Sequence, residues 1–160
     1  MVIVACGGAG FSMAMYYKHQ LASIKQLIKT LEYIYCELEF RLTPLPELCQ
    51  KAAACACGGI KDTFQALSEE LCSQMAPDVK TCMTAALSRV RLPEKTEEIM
   101  LELGTTLGQF DLSGQLQGLD AVLADSRSIA AQLETERPQR VRSYQTLGLC
   151  AGAVLAILLV

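Results

Sequence analysis

Both ends of this chain lack charge, and that restricts where they can be placed. Residues 1–17, MVIVACGGAGFSMAMYY, carry no charged side chain, and the first charge is Lys18. Residues 143–160, SYQTLGLCAGAVLAILLV, carry none either, and from Leu147 onward every residue is apolar or glycine. A helix crosses a bilayer with about 20 apolar residues, and with about 17 at the least. The C-terminal segment meets that length. The N-terminal segment stands at the lower limit and is thinned by Gly7, Gly8, Gly10 and Ser12. Small residues of this kind also permit close helix–helix approach. A cleaved signal peptide would carry basic residues ahead of its apolar run. Here the basic residues follow the run, which favours an uncleaved anchor.

The flanks set the expected orientation. Lys18, Lys25 and Lys29 follow the first segment, and Arg137, Arg140 and Arg142 precede the second. Cytoplasmic flanks are the ones enriched in Lys and Arg. The reading is therefore a hairpin: an N-terminal transmembrane segment at 1–17, a cytoplasmic domain at 18–142 and a C-terminal transmembrane segment at 143–160. Tyr16, Tyr17 and Tyr144 fall where interfacial aromatics collect. This placement accounts for a chain that is 51% hydrophobic and only 19% charged. A net charge of −3 leaves no basic footprint for nucleic acid.

The middle predicts helix after helix. Leu21, Ile24, Ile28, Leu31, Tyr35, Leu38 and Leu42 alternate spacings of 3 and 4, a coiled-coil-like heptad stripe on one helix face. Leu27, Ile34 and Phe40 widen it. Such a stripe is read as core. Pro44 and Pro46 end this helix, because proline lacks a donor and disfavours helical geometry in the residue before it. Thr43 is a potential cap for a second helix from Glu47 to about Cys57, stopped at Gly58-Gly59. A third helix carries Ile60, Phe64, Leu67 and Leu71. Pro77 ends it and starts a fourth with Val79, Cys82, Ala86 and Val90. Pro93 opens a fifth with Ile99, Leu103, Leu107 and Phe110, and Glu94, Glu97 and Glu98 near its positive end. Asp111 reads as the N-cap of a long helix striped by Leu112, Leu116, Leu119, Leu123, Ser126, Ala130 and Leu133. Pro138 is expected to kink or break that helix. No stretch sustains period-two alternation. The fold class expected is all-α, an approximately six-helix bundle whose long first and last helices continue toward the bilayer.

Chemical sites are sparse. Of eight cysteines, Cys6 and Cys150 lie in the apolar ends, and Cys36, Cys49, Cys55, Cys57, Cys72 and Cys82 lie in the middle. Structural zinc sites repeat C-x2–4-C pairs. The one close pair is Cys55-Ala56-Cys57, whose side chains diverge on a helix. The cysteines read better as small buried apolar residues, and no metal or cofactor is expected. The sequence has no G-x-S-x-G, Walker A or H-E-x-x-H motif. The adjacent pairs Glu69-Glu70 and Glu97-Glu98 do not face one another on a helix. His19, the single histidine, has no recognisable catalytic partner. No enzymatic activity is expected. Gly104-x3-Gly108 and Gly114-x3-Gly118 allow close helix contact, or serve turn chemistry around Asp111.

Several motifs then occur in a specific order along the chain. Gly10-Phe11 and Tyr17 are followed by the striped helix with Glu37 ahead of Thr43-Pro44-Leu45. Leu107-Gly108-x2-Asp111-x3-Gln115 comes next, and Ser143-Tyr144-x2-Leu147-Gly148 leads into Ala151-Gly152 and an aliphatic tail. This order resembles the stage III sporulation protein AB family of endospore-forming bacteria over essentially the whole chain. The resemblance implies membership of a secretion-like channel between mother cell and forespore, built with other stage III sporulation proteins. It implies an integral protein of the mother-cell membrane facing the forespore. It further implies similarity to the inner-membrane platform proteins of type II secretion and type IV pilus systems, whose cytoplasmic domains are six-helix bundles. Such a platform docks a secretion-type ATPase, here the AA protein. It would present Glu37, Thr43, Pro44, Leu45, Asp111 and Gln115 as motif positions, and a second copy of the chain is a further expected partner. Thr43 and Asp111 serve equally well as helix punctuation. A membrane-tethered regulatory protein sensing thiol state or metal is the alternative reading.

Overall fold

A computed structural model describes the backbone of residues 2–73, 78–108 and 111–158, and the side chains of 15–73, 78–108 and 111–135. Six helices and no strand occur among the described residues: α1 (Val2–Arg41), α2 (Leu45–Cys55), α3 (Gly58–Ser73), α4 (Val79–Arg89), α5 (Glu94–Thr106) and α6 (Leu112–Leu158). The all-α class and the number of helices agree with the reading from periodicity. Among the described residues, no helix is long and apolar enough to cross a membrane. The segments 1–17 and 143–160 lie, apart from Met15, Tyr16 and Tyr17, outside the residues whose side chains are described.

The α1 stripe makes the centre of the bundle. Ile24, Leu27, Leu31 and Ile34 are fully buried, with Leu21 and Leu38 nearly so. Ile28 and Tyr35 are half-buried at its edge. The stripe stops short of its predicted end, since Phe40 is 77% exposed and Leu42 is 66% exposed. Phe40 stands on the solvent face beside the buried stripe, and Leu42 lies past the end of α1 in a left-handed turn. The most extensive contacts of α1 are with α6, and it also touches α2, α3 and α5. Helix α4 packs on α3 and α5.

Two ion pairs show how α1 and α6 run. Lys25 bonds Glu134 at 2.5 Å, and Glu32 bonds Arg127 at 2.6 Å. Numbers rise along one helix and fall along the other, so the pair is antiparallel. Ser126 is fully buried in this seam and gives its hydroxyl to the Val122 carbonyl at 2.6 Å, as Thr30 does to Gln26 at 3.0 Å. Such local bonds let a polar residue occupy a core position without an orphaned donor.

Several boundaries differ from expectation. Helix α2 begins at Leu45, with Pro44 in the cap position and its carbonyl accepting the Leu48 N–H at 2.9 Å. Thr43 therefore does not cap it. Helix α2 ends at Cys55 because Ala56 turns extended. Gly58 and Gly59 open α3 and do not close α2: Gly58 takes φ +57, a left-handed turn into the new helix. Asp78 caps α4 by accepting the Thr81 N–H at 3.2 Å. Pro77 and Phe110 lie outside the described residues. Helix α5 ends at Thr106, where Leu107 turns extended and buries its side chain. Pro138 does not end α6, which is one helix through that position. Proline removes a single ladder bond, and the helical turns on either side of it carry the element through.

The spaced glycines are contact points. A Cβ on Gly104 would lie 2.7 Å from Met83 Cβ, so α5 and α4 meet backbone to side-chain root. A Cβ on Gly118 would collide with Thr106 Cγ2, which holds α6 equally close to α5. For Gly104→Ala, overpacking costs about 1–3 kcal/mol, and better helix propensity returns about 1 kcal/mol. The expected net loss is about 1 kcal/mol, read as a lower urea midpoint. Thr96 tests the opposite sign. Its buried hydroxyl has no partner among the described atoms, so Thr96→Val should raise the midpoint by about 1 kcal/mol.

Candidate functional site

The chain turn after α1 is built around one buried carboxylate. Glu37 lies on the last turns of α1 and is 6% exposed. Its Oε2 accepts the Thr43 hydroxyl at 3.0 Å, a bond that spans the end of the helix. Arg41, one turn further along α1, approaches Oε1 at 3.2 Å. Lys51, on α2, approaches Oε2 at 3.6 Å and also pairs with Glu47 at 3.0 Å. One carboxylate thus ties the end of α1, the turn and α2 together. Burial pushes the Glu37 carboxyl upward, but the Thr43 hydroxyl, the Arg41 and Lys51 charges and the Tyr33 hydroxyl outweigh it. The group is held below the ordinary glutamate value and is charged at neutral pH. On the same cluster, burial and then the Glu37 charge raise the Tyr33 phenol.

Leu42 follows the last helical residue and takes φ +49, a left-handed conformation that costs a residue with a side chain about 1–2 kcal/mol. Pro44 requires an abrupt stop, and the Glu37–Thr43 bond holds the chain in it. Across the bundle end, Gly108 makes a second left-handed turn at φ +85, with Val79 packed so close that no Cβ would fit. Asp111 then stands ahead of α6, and its carbonyl accepts the Gln115 N–H at 3.1 Å. Its carboxylate folds back to 2.6 Å from where a Gly114 Cβ would lie.

These two turns border one cleft. It measures about 230 Å³ and is lined by Leu38, Leu42, Thr43, Leu45, Gly108, Leu112 and Gln115. Thr43, Leu45 and Gln115 line it directly, while Glu37 stands behind Thr43. Pro44 and Asp111 sit in the bordering turns and do not line it. The six motif positions, separated by more than sixty residues of sequence, thus meet at one end of the bundle. Sequence reasoning missed Leu42 and Leu112 here, having assigned both to helix stripes. The signal available was Leu42 directly ahead of Thr43-Pro44, where the helix has to stop.

The cysteines give no comparable cluster. Among the described residues, no group of three or more His, Cys, Asp or Glu side chains is placed to hold a metal ion. Cys49 is buried, and burial, with Cys72 nearby, pushes its thiol up to about 12. Cys82 is raised by burial and then by the Glu70 and Asp78 charges. Protonated thiols of this kind are poor nucleophiles and poor metal ligands. Cys36, Cys55, Cys57 and Cys72 are exposed, so among the described cysteines the expectation of buried apolar residues holds only for Cys49 and Cys82.

The sequence model of Stage III sporulation protein AB (spore_III_AB) matches residues 1–160. The chain belongs to the stage III sporulation protein AB family. A curated relative, Stage III sporulation protein AB of Bacillus subtilis (strain 168), is 26% identical over 162 residues, covering 99% of this chain and 94% of the relative. A solved structure of Stage III sporulation protein AB superposes with a TM-score of 0.67 at 22% identity, covering 76% of this chain and 98% of the solved one. That likeness shows a shared fold. The motif residues named from sequence resemblance are therefore placed, in this family member, around the cleft and its supporting turns.

The Glu37 cluster makes stability depend on acid. A depressed carboxyl stabilises the fold fully above the unfolded glutamate value of about 4.3. That contribution is lost as pH falls through the folded value. Thr43→Val removes the strongest of the interactions lowering it and should move the acid-unfolding midpoint, followed by far-UV circular dichroism, to higher pH. Glu37→Gln should make this part of the profile flat. An unchanged midpoint in Thr43→Val would count against the cluster.

Proposed function

We propose that this chain is a non-enzymatic membrane platform of the sporulation channel between mother cell and forespore. Its bundle faces the mother-cell cytoplasm, anchored through 1–17 and 143–160. The cleft bordered by α1, α2 and α6 docks a secretion-type ATPase, the AA protein. Family membership supports a place among the stage III sporulation proteins. The resemblance of the family to secretion platform proteins supports the docking role.

The observation that carries the reading is Leu42. A bulky apolar residue is held in a left-handed conformation, is 66% exposed and lines a cleft formed by the motif segments. Glycine would satisfy the same turn without strain. Strain retained by an exposed side chain points to use of that side chain by a partner. Leu112, 38% exposed, stands across the same cleft. Full burial of a leucine is worth about 2 kcal/mol, so an inserted apolar side chain would bind by covering both. Thr43 and Gln115 supply the polar part of the lining. The work is mechanical: the cleft holds the motor, and the anchored helices α1 and α6 hold the cleft relative to the membrane.

Leu42→Gly separates fold from function. It should raise stability by about 1 kcal/mol by relieving the turn. It should also reduce co-purification with the AA ATPase and lower spore yield. Stability raised with ATPase binding and sporulation intact would overturn the docking reading.

A further inference from the structure

We propose that the two apolar ends form a single in-register antiparallel helix pair that enters the lipid bilayer as one unit, continuing the α1–α6 seam of the bundle. The inference rests on the membrane reading above and adds what the ends pack against: each other, within one chain. It starts from the two ion pairs inside the bundle. Lys25 meets Glu134 and Glu32 meets Arg127, and in both pairs the residue numbers add to 159. The members are spaced by seven on each helix, so the register holds over two turns.

Both backbones stay helical beyond the bundle, to Val2 in α1 and to Leu158 in α6. Carried along them, the same register sets residues 1–17 of α1 beside residues 142–158 of α6. The charge boundaries, read independently from sequence, fall at the same level: Tyr17 is the last uncharged residue before Lys18, and Ser143 is the first after Arg142. Two uncharged segments that begin at one level on adjacent helices suit one slab of hydrocarbon. A slip of a heptad would set charged residues of one helix beside the apolar stretch of the other, a costly arrangement in lipid. At the buried heptad positions the pairing sets Gly10 beside Ala151, residue types that let two backbones approach in lipid. The heptads continue as well. The flanking ion pairs add to 159 and the core layer beside them, Leu31 with Ala130, adds to 161; both residues are buried, and whole heptads carry that layer to Gly10 with Ala151 and to Ile3 with Leu158.

Cysteine pairs in the full chain test this. All eight native cysteines are replaced, and native membrane vesicles are oxidised with copper phenanthroline. The pairs Gly10→Cys with Ala151→Cys and Ile3→Cys with Leu158→Cys should form disulfides within one chain. The exchanged pairs, Gly10→Cys with Leu158→Cys and Ile3→Cys with Ala151→Cys, should not. Each exchange displaces the partners by about 10 Å along the helix, beyond disulfide reach. A short bismaleimide joining Lys25→Cys to Glu134→Cys in the same background reports that the bundle has formed. Equal linkage of exchanged pairs, linkage only between chains, or no linkage in a folded chain would overturn the inference. Alkaline carbonate separates the two claims. A chain retained in membranes without linkage sinks the register alone. A chain released to the supernatant sinks the membrane reading and the register with it.

Discussion

The antiparallel pairing of α1 with α6 is the constraint on which the rest depends. These are the first and last helices, so their pairing closes the chain and fixes where the four short helices fit. On α1 the buried face is Ile24, Leu27, Leu31 and Ile34, and α6 buries Leu119, Val122, Leu123 and Ala130. Burial of that kind carries most of the stability, at about 25 cal/mol per Å² of apolar surface. The exposed ion pairs at its flank add little energy and serve better to specify register. Both helices leave the bundle at the same end, so the opposite end is free for the turns that build the cleft.

That opposite end shows a different economy. The Glu37–Thr43 bond, Leu42 at positive φ and Gly108 at positive φ are local devices that stop helices abruptly. They set the mouth of the cleft while the core behind it stays ordinary. Glu37 is charged and buried, and charges are tolerated in such places only when paired and hydrogen-bonded. Thr43, Arg41 and Lys51 supply that pairing. Gly104 and Gly118 act further back, bringing α4 and α6 close to α5.

Periodicity was enough for the helices, because the apolar stripes on α1, α3 and α6 are long and the prolines at 44 and 93 sit at real boundaries. It failed at the ends of elements. Gly58 and Gly59 read equally well as the end of one helix or the start of the next, and only the left-handed turn at Gly58 decides. Thr43 looked like a cap because it precedes a proline, yet its hydroxyl is taken by Glu37 six residues earlier, a tertiary choice with no local signature. Leu42 and Leu112 matched their stripes in spacing, but Leu42 lies past the end of α1 in a left-handed turn and Leu112 is the first residue of α6, so both stay exposed. The cleft was not legible for the same reason: it arises where two remote turns meet, and spacing along one helix says nothing of that.

The most direct test is the side of the membrane on which the bundle lies. Lys95 is exposed on α5, away from the cleft, and pairs with its helix neighbour Glu98 at 2.8 Å. Lys95→Cys in a cysteine-free chain would be exposed to a membrane-impermeant maleimide in intact cells, with lysed cells as the control. Protection in intact cells and labelling after lysis is the predicted result, and it puts the cleft within reach of a cytoplasmic ATPase. Labelling in intact cells would place the bundle outside and contradict the account.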